Sequence, residues 1–157
     1  MDIKRYKTEI KLYITPVWHD EPPICSIKFS KDVSFKEEIK ENKIYSYEGY
    51  LTNGNYDIVI EFLNKKNTDT VDGKDKAIKI DKIVFNNIES KKFVWQGTYQ
   101  PIYPEPWATQ EKKVGKELNS VITPATYLGW NGVWKLTYSV PIFTWIHKLE
   151  NHGWIYD

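Results

Sequence analysis

Polar and apolar residues alternate with period two along most of this chain, which a strand with one buried face satisfies and an α-helix does not. Glu9-Ile10-Lys11-Leu12-Tyr13-Ile14 alternates until Pro16 stops it, Ile24-Cys25-Ser26-Ile27-Lys28-Phe29 follows, and Lys43-Ile44-Tyr45-Ser46-Tyr47-Glu48 turns its rings to one side. In the next run, Ile58, Ile60 and Phe62 share a face while Val59 and Leu63 make the opposite face largely apolar too. A strand of that kind belongs in the middle of a sandwich. From Ala77 to Phe85 the alternation slips at Asp81-Lys82, which predicts a β-bulge.

Asn53-Gly54 and Asn131-Gly132 each carry the two-residue signal of a type I′ hairpin, because both residue types accept positive φ cheaply. The first is expected to join 45–51 to 57–62, the second 126–130 to 133–140. Only the last segment has helical spacing. Ile142, Trp145, Ile146 and Leu149 fall at i, i+3, i+4 and i+7, with Pro141 before them and Gly153 as a stop, predicting a helix over about 142–152. No repeat or linker divides the 157 residues. The expectation is one domain over 1–157, all-β, an antiparallel β-sandwich of jelly-roll-like form with one C-terminal α-helix.

Composition narrows the function. The net charge of +1 supplies no field for nucleic acid or a membrane surface, and Arg5 is the only arginine, so the bidentate fork that reads bases is nearly absent. No run of about eighteen apolar residues crosses a bilayer. The start, Met1-Asp2-Ile3-Lys4-Arg5, is charged and lacks the apolar region of a signal peptide. Synthesis in the cytoplasm is therefore expected, with association with a virus particle as one route by which such a chain acts outside. A lone cysteine, Cys25, excludes an internal disulfide framework and is expected to point into the core.

What stands out is the aromatic content of 15%, with seven Trp and eleven Tyr. Much of it gathers between Phe93 and Trp107, where Trp95, Tyr99, Tyr103 and Trp107 interleave with Gln96, Gln100 and Glu105. Pro101, Pro104 and Pro106 lack the ladder donor, so this segment is no central strand, and it has no helical periodicity. Rigid rings on a proline-stiffened backbone suit the C–H-rich face of a pyranose, and amide or carboxylate groups beside them suit its hydroxyls. Two other outcomes are open: the rings fold back over the sandwich edge, or Pro101–Pro106 docks as a polyproline segment in a partner's groove. A second group is Tyr127, Trp130, Trp134 and Tyr138. Trp130 and Trp134 flank the expected turn, either as ligand contacts or as a cross-strand pair stabilising it. Trp145, Trp154 and Tyr156 are expected to pack the helix onto the sheet.

The stretch from Asn64 to Asp75 is rich in Asn, Asp and hydroxyls, the hard oxygen ligands calcium prefers. Lys65, Lys66, Lys74 and Lys76 surround those carboxylates and oppose a dication. A solvated loop and a calcium loop both remain open on the residues alone.

Residues 58–87 add a resemblance. Ile58-Val59-Ile60-Glu61-Phe62-Leu63-Asn64, then Gly73-Lys74-Asp75-Lys76-Ala77 through Asp81 to Asn86-Asn87, resembles the strand–loop–strand core of calcium-dependent carbohydrate-binding modules of the xylan-binding type. The resemblance implies a β-sandwich with calcium in a strand-edge loop that helps hold sugar hydroxyls. Asp75 and Asp81 match the two motif aspartates and Asn64 the Asn, while Lys65 stands where that group has an Asp and Lys76 where it has an Arg. Any calcium would fall to Asp69, Asp72 and Asp75.

Catalytic patterns are lacking. His19, His147 and His152 match no zinc spacing, and there is no nucleophile elbow, phosphate loop or dinucleotide fingerprint. A glycosidase would need carboxylates such as Glu48, Glu61 and Glu105 to converge. The leading expectation is a non-catalytic module binding a polysaccharide or glycan through Trp95, Gln96, Tyr99, Gln100, Tyr103, Glu105, Trp107 and Trp130, with calcium assisting. The alternative is a virion-associated decoration or adhesion protein acting through protein contacts, as a homo-oligomer or within a particle.

Overall fold

Thirteen residues of alternating pattern make the spine of the molecule: β1 (Arg5–Val17) buries Thr8, Ile10, Leu12 and Ile14 on one face. The computed structural model describes residues 3–30, 33–66 and 68–150. After β1 come β2 (Ile24–Lys28), β3 (Ser34–Glu38), β4 (Lys43–Thr52), β5 (Gly54–Phe62), β6 (Ala77–Phe85) and β7 (Ile88–Glu89). A 3₁₀ turn (Phe93–Gln96), β8 (Thr98–Pro101), α1 (Trp107–Lys113), β9 (Tyr127–Leu128), β10 (Gly132–Val140) and α2 (Ile142–Glu150) complete the chain.

The strands form two antiparallel sheets. One has the order β4-β1-β6-β7 with β9 also on β6, and the other has the order β3-β2-β5-β10-β8. Their inner faces share one core: Phe29 after β2 stacks on Tyr47 of β4 at 5.8 Å, Phe35 of β3 meets Tyr45 of β4, and Phe85 of β6 meets Tyr138 of β10. The antiparallel sandwich and its C-terminal helix are as the alternation implies. β5 does sit at the centre of its sheet, with Ile58, Ile60 and Phe62 inward, Val59 half-buried and Leu63 exposed. Cys25 is buried as expected, and that burial pushes its thiol up to about 12.

The bulge falls where the pattern slips. Tyr13 pairs with Lys82 and Ile14 with Ile80, which leaves Asp81 unpaired on β6, its carboxylate accepting a bond from the Thr15 hydroxyl at 2.5 Å. Pro16 does not end β1. It pairs with Ile78 beyond the last β4 partner of β1, where the strand has a neighbour on one side only and a missing N–H is tolerated.

Both Asn-Gly expectations are corrected. β4 and β5 lie in different sheets, so Asn53-Gly54 is a crossing between layers and not a hairpin. Likewise β9 belongs to one sheet and β10 to the other. Gly132 answers to packing: a Cβ there would lie 2.3 Å from the Gln100 carbonyl and 2.8 Å from the Pro101 Cα. Two-residue turns with positive φ occur instead at Asp72-Gly73, at 50° and 78° and closed by paired bonds between Val71 and Lys74, and at Asn86-Asn87, at 49° and 64°, between β6 and β7.

In α2, Ile142, Trp145, Ile146 and Leu149 all face the core, and Trp145 lies against Phe85, Phe93 and Tyr138. The expected stop at Gly153, together with His152, Trp154 and Tyr156, lies outside the described residues. A helix not foreseen, α1, begins at Trp107, after the prolines that end β8. No helix among the described residues is long and apolar enough to cross a membrane.

Candidate functional site

Pro101 and the prolines after it set the geometry. β8 is an edge strand, paired through Thr98 to Pro101 with β10, so the chain leaves the sheet there and carries Ile102 to Trp107 over its end. The Ile102 amide donates to the Asn131 carbonyl at 2.6 Å, which brings this segment against the 129–131 corner. Three rings meet as a result. Tyr103 and Trp130 are 5.3 Å apart edge to face, Trp107 and Trp130 are 5.9 Å apart, and Tyr103 and Trp107 are 6.2 Å apart. All three are half-buried. Burial raises the Tyr103 phenol, whose hydroxyl donates to the Asn119 carbonyl at 2.6 Å.

Trp107 and Trp130 line a cleft of about 580 Å³. Its other walls are Ile102, Pro104, Pro106, Gln110 and Gly129 on the same side of the chain, and Lys65, Lys66, Thr70 and Asp75 from the 64–76 loop, with Tyr127 and Asn131. Apolar faces and convergent polar groups thus share one concavity.

Tyr99 is a correction. It is 1% exposed and offers no face to a ligand. Its hydroxyl instead donates to the Trp130 carbonyl and accepts from the Trp130 amide at 3.0 Å, so it fixes the backbone of the ring that does reach the cleft. Trp134, also fully buried, donates its indole N–H to the Ala125 carbonyl at 3.0 Å and belongs to the core; it makes no pair across a turn with Trp130. Gln96 and Gln100 do not line this cleft, Glu105 accepts a bond from the Thr109 hydroxyl, and Trp95 lies in a separate hollow. Of the predicted ligand contacts, then, the fold gathers Tyr103, Trp107 and Trp130. Sequence reasoning missed Ile102, Gln110, Tyr127 and Asn131. Asn131, expected in a turn, instead has its amide oxygen accept the Lys65 N–H at 2.7 Å and its amide nitrogen donate to the Lys65 carbonyl at 3.1 Å. That clamp ties the 64–76 loop to the aromatic corner.

The loop does not fit a calcium ion. Asp69 lies against the ammonium of Lys76 at 3.1 Å and also accepts the Lys66 amide at 2.6 Å. Lys76 is 1% exposed and donates as well to the Asn64 carbonyl at 3.2 Å, with Glu21 at 3.8 Å. Both oxygens of Asp75 are used: one by the Lys65 ammonium, the Thr70 hydroxyl at 2.5 Å and the Lys76 amide at 2.8 Å, the other by the Tyr127 hydroxyl at 2.5 Å. Burial disfavours ionisation of both carboxyls, but the Lys66 amide and Lys76 ammonium at Asp69, and the Lys65, Thr70 and Tyr127 donors at Asp75, outweigh it and hold them below the ordinary range. Asp72 is exposed at the tip of the Val71–Lys74 turn, and the Asn64 side chain is committed to the Ile24 amide and Pro22 carbonyl. Among the described residues no three His, Cys, Asp or Glu groups converge as a metal site. Of the three carboxylates expected to hold calcium, Asp69, Asp72 and Asp75, two are already neutralised by lysine ammonium groups, Asp69 by Lys76 and Asp75 by Lys65.

The carboxylates weighed for glycoside hydrolysis are dispersed, with Glu48 on β4, Glu61 on β5 in the other sheet and Glu105 before α1. His19 is exposed, with its Nε2 2.7 Å from the Asp69 carbonyl, and helps hold the same loop.

No protein-family model matches the chain, and no curated protein matches it either. It is similar to the solved structure of vCBM60 in complex with galactobiose, at 12% identity over 82% of this chain and 96% of that one, with a TM-score of 0.46. It is also similar to the selenomethionine form of vCBM60, described as part of an evolutionary link by circular permutation between two families of calcium-dependent carbohydrate binding modules. There the identity is 12% over 82% of this chain and 89% of that one, with a TM-score of 0.48.

Proposed function

We propose that this chain is a carbohydrate-binding β-sandwich whose sugar site is the cleft lined by Trp107 and Trp130, and that binding there needs no calcium. One observation carries the reading: the rings of Trp107 and Trp130, with Tyr103 packed against both, form one side of an open cleft whose other walls include Thr70, Asp75, Lys65 and Asn131. A pyranose presents an apolar C–H face and a rim of hydroxyls, and this cleft offers a partner to each. The rings are held before any ligand arrives, Trp130 by Tyr99 and Trp107 at the first turn of α1, so little ordering entropy is lost on binding. Nothing in the described surface favours the particle-assembly reading over this one.

Affinity electrophoresis on a polysaccharide panel, followed by calorimetry on the best ligand, tests the proposal. Trp107→Ala is expected to weaken binding by about 2 kcal/mol, roughly thirty-fold in Kd. EDTA is expected to leave Kd and Tm unchanged. Unaltered binding by the Trp107 variant sinks the site, and a loss in EDTA that added calcium restores sinks the metal independence.

A further inference from the structure

A second hollow, of about 340 Å³, lies beside the first. Trp95, 48% exposed, forms part of its wall with Lys79, Lys91, Asp81 and Thr126, and Tyr127 borders both hollows. Tyr127 is half open to solvent on the edge strand β9, and Asp75 holds its hydroxyl in place. Gly129 keeps one flank of that ring bare, since a Cβ there would stand 3.3 Å from it.

The two hollows differ in charge. In the first, Lys65 is neutralised by Asp75 and Lys66 by Glu21. In the second, Lys79 and Lys91 are exposed and neither enters an ion pair among the described residues, while the single carboxylate, Asp81, accepts from Thr15. An indole face flanked by two uncommitted ammonium groups suits a ring that carries a carboxylate.

Resting on the first cleft as the sugar site, we propose that the Trp95 hollow is a second subsite of one groove that runs across Tyr127. Its ligand is a linear acidic polysaccharide, bound along an internal stretch with a uronate ring over Trp95. Continuity through a shared ring argues for a chain over a single sugar, and the unpaired lysines argue for an acidic chain over a neutral one.

Calorimetry with a neutral disaccharide, a long neutral oligosaccharide and a long uronate-bearing oligosaccharide, at low and high salt, tests it. The uronate oligomer is expected to bind at least ten-fold tighter than the disaccharide at low salt, with much of the gain lost at high salt. Trp95→Ala should bring the long chain down to the affinity of the disaccharide. The double variant Lys79→Ala/Lys91→Ala should remove the preference for the acidic chain, about two- to five-fold per lysine. Both variants change exposed side chains, and an unchanged Tm verifies that they fold. If Trp107→Ala weakens binding while the Trp95 and lysine variants bind the uronate oligomer like the wild type, the second subsite is refuted and the first cleft stands. If Trp107→Ala has no effect, or no saccharide binds, both readings fail.

Discussion

Two groups of aromatic rings sit in this molecule at almost the same spacing and end in opposite environments. Phe85, Phe93 and Tyr138 lie 5.0–6.3 Å from Trp145 of α2, and all four are at most 6% exposed. Tyr103, Trp107 and Trp130 lie 5.3–6.2 Å apart and are only half-buried. Ring chemistry is therefore not what separates core from site. The first group has a helix with four apolar residues laid over it, whereas the second sits where prolines turn an edge strand away and a short polar helix begins. Coverage decides the role.

The sharpest break of that comparison is in stability. Trp145→Ala should cost about 3–5 kcal/mol by denaturant titration, with its cavity left under the helix. Trp107→Ala should cost less than about 1 kcal/mol. Equal losses would mean that the open rings are a second core. Next comes the loop that completes the cleft. Lys76→Met leaves Asp69 buried without its cation and should destabilise by about 3 kcal/mol, read from the shift in denaturation midpoint; a change near zero would show that the pair contributes no net stability. Tyr99→Phe should cost about 1–3 kcal/mol, because the Trp130 N–H and C=O lose their partner. It should also weaken glycan binding, measured by calorimetry, although Tyr99 never meets the ligand. Binding as tight as in the wild type would remove Tyr99 from the positioning of Trp130.

The smallest effect is in pH. Asp69 and Asp75 are held below the ordinary carboxyl value of 3.8. Around that pH the unfolded chain binds more protons than the native one, so their stabilisation is complete above it and fades as the pH falls through the lower native values. Melts across that range should show Tm falling on the acid side; a flat profile would contradict the paired carboxylates.

The fold was legible because alternation is local: each strand shows its buried face through residues two apart, and even the bulge at Asp81 leaves a slip in the pattern. What was not legible depends on contacts distant in sequence. The Asn-Gly signals at 53 and 131 misled because Gly132 is required by the backbone of Gln100 and Pro101, and Asn131 by that of Lys65. One true turn, Asp72-Gly73, was hidden among residues that looked like metal ligands, and another, Asn86-Asn87, carries no glycine. In the aromatic stretch, composition marked the region yet not the orientation of its rings. Tyr99 and Tyr103 are four residues apart in one polar-aromatic stretch, and only the edge position of β8 sends the first inward and lets the second reach the surface. The lysines around the acidic loop were a better guide than the carboxylates, since their charges complete the loop from within.

That loop has a thermodynamic consequence. An ion taken from solution stabilises a fold by an amount that varies with its free concentration. The ammonium of Lys76 is part of the chain, so its contribution is a constant, present from the moment of folding and indifferent to how much metal surrounds the protein. The Lys76–Asp69 pair thus draws on no ion from solution, and acid, which protonates the carboxylates, is what loosens it.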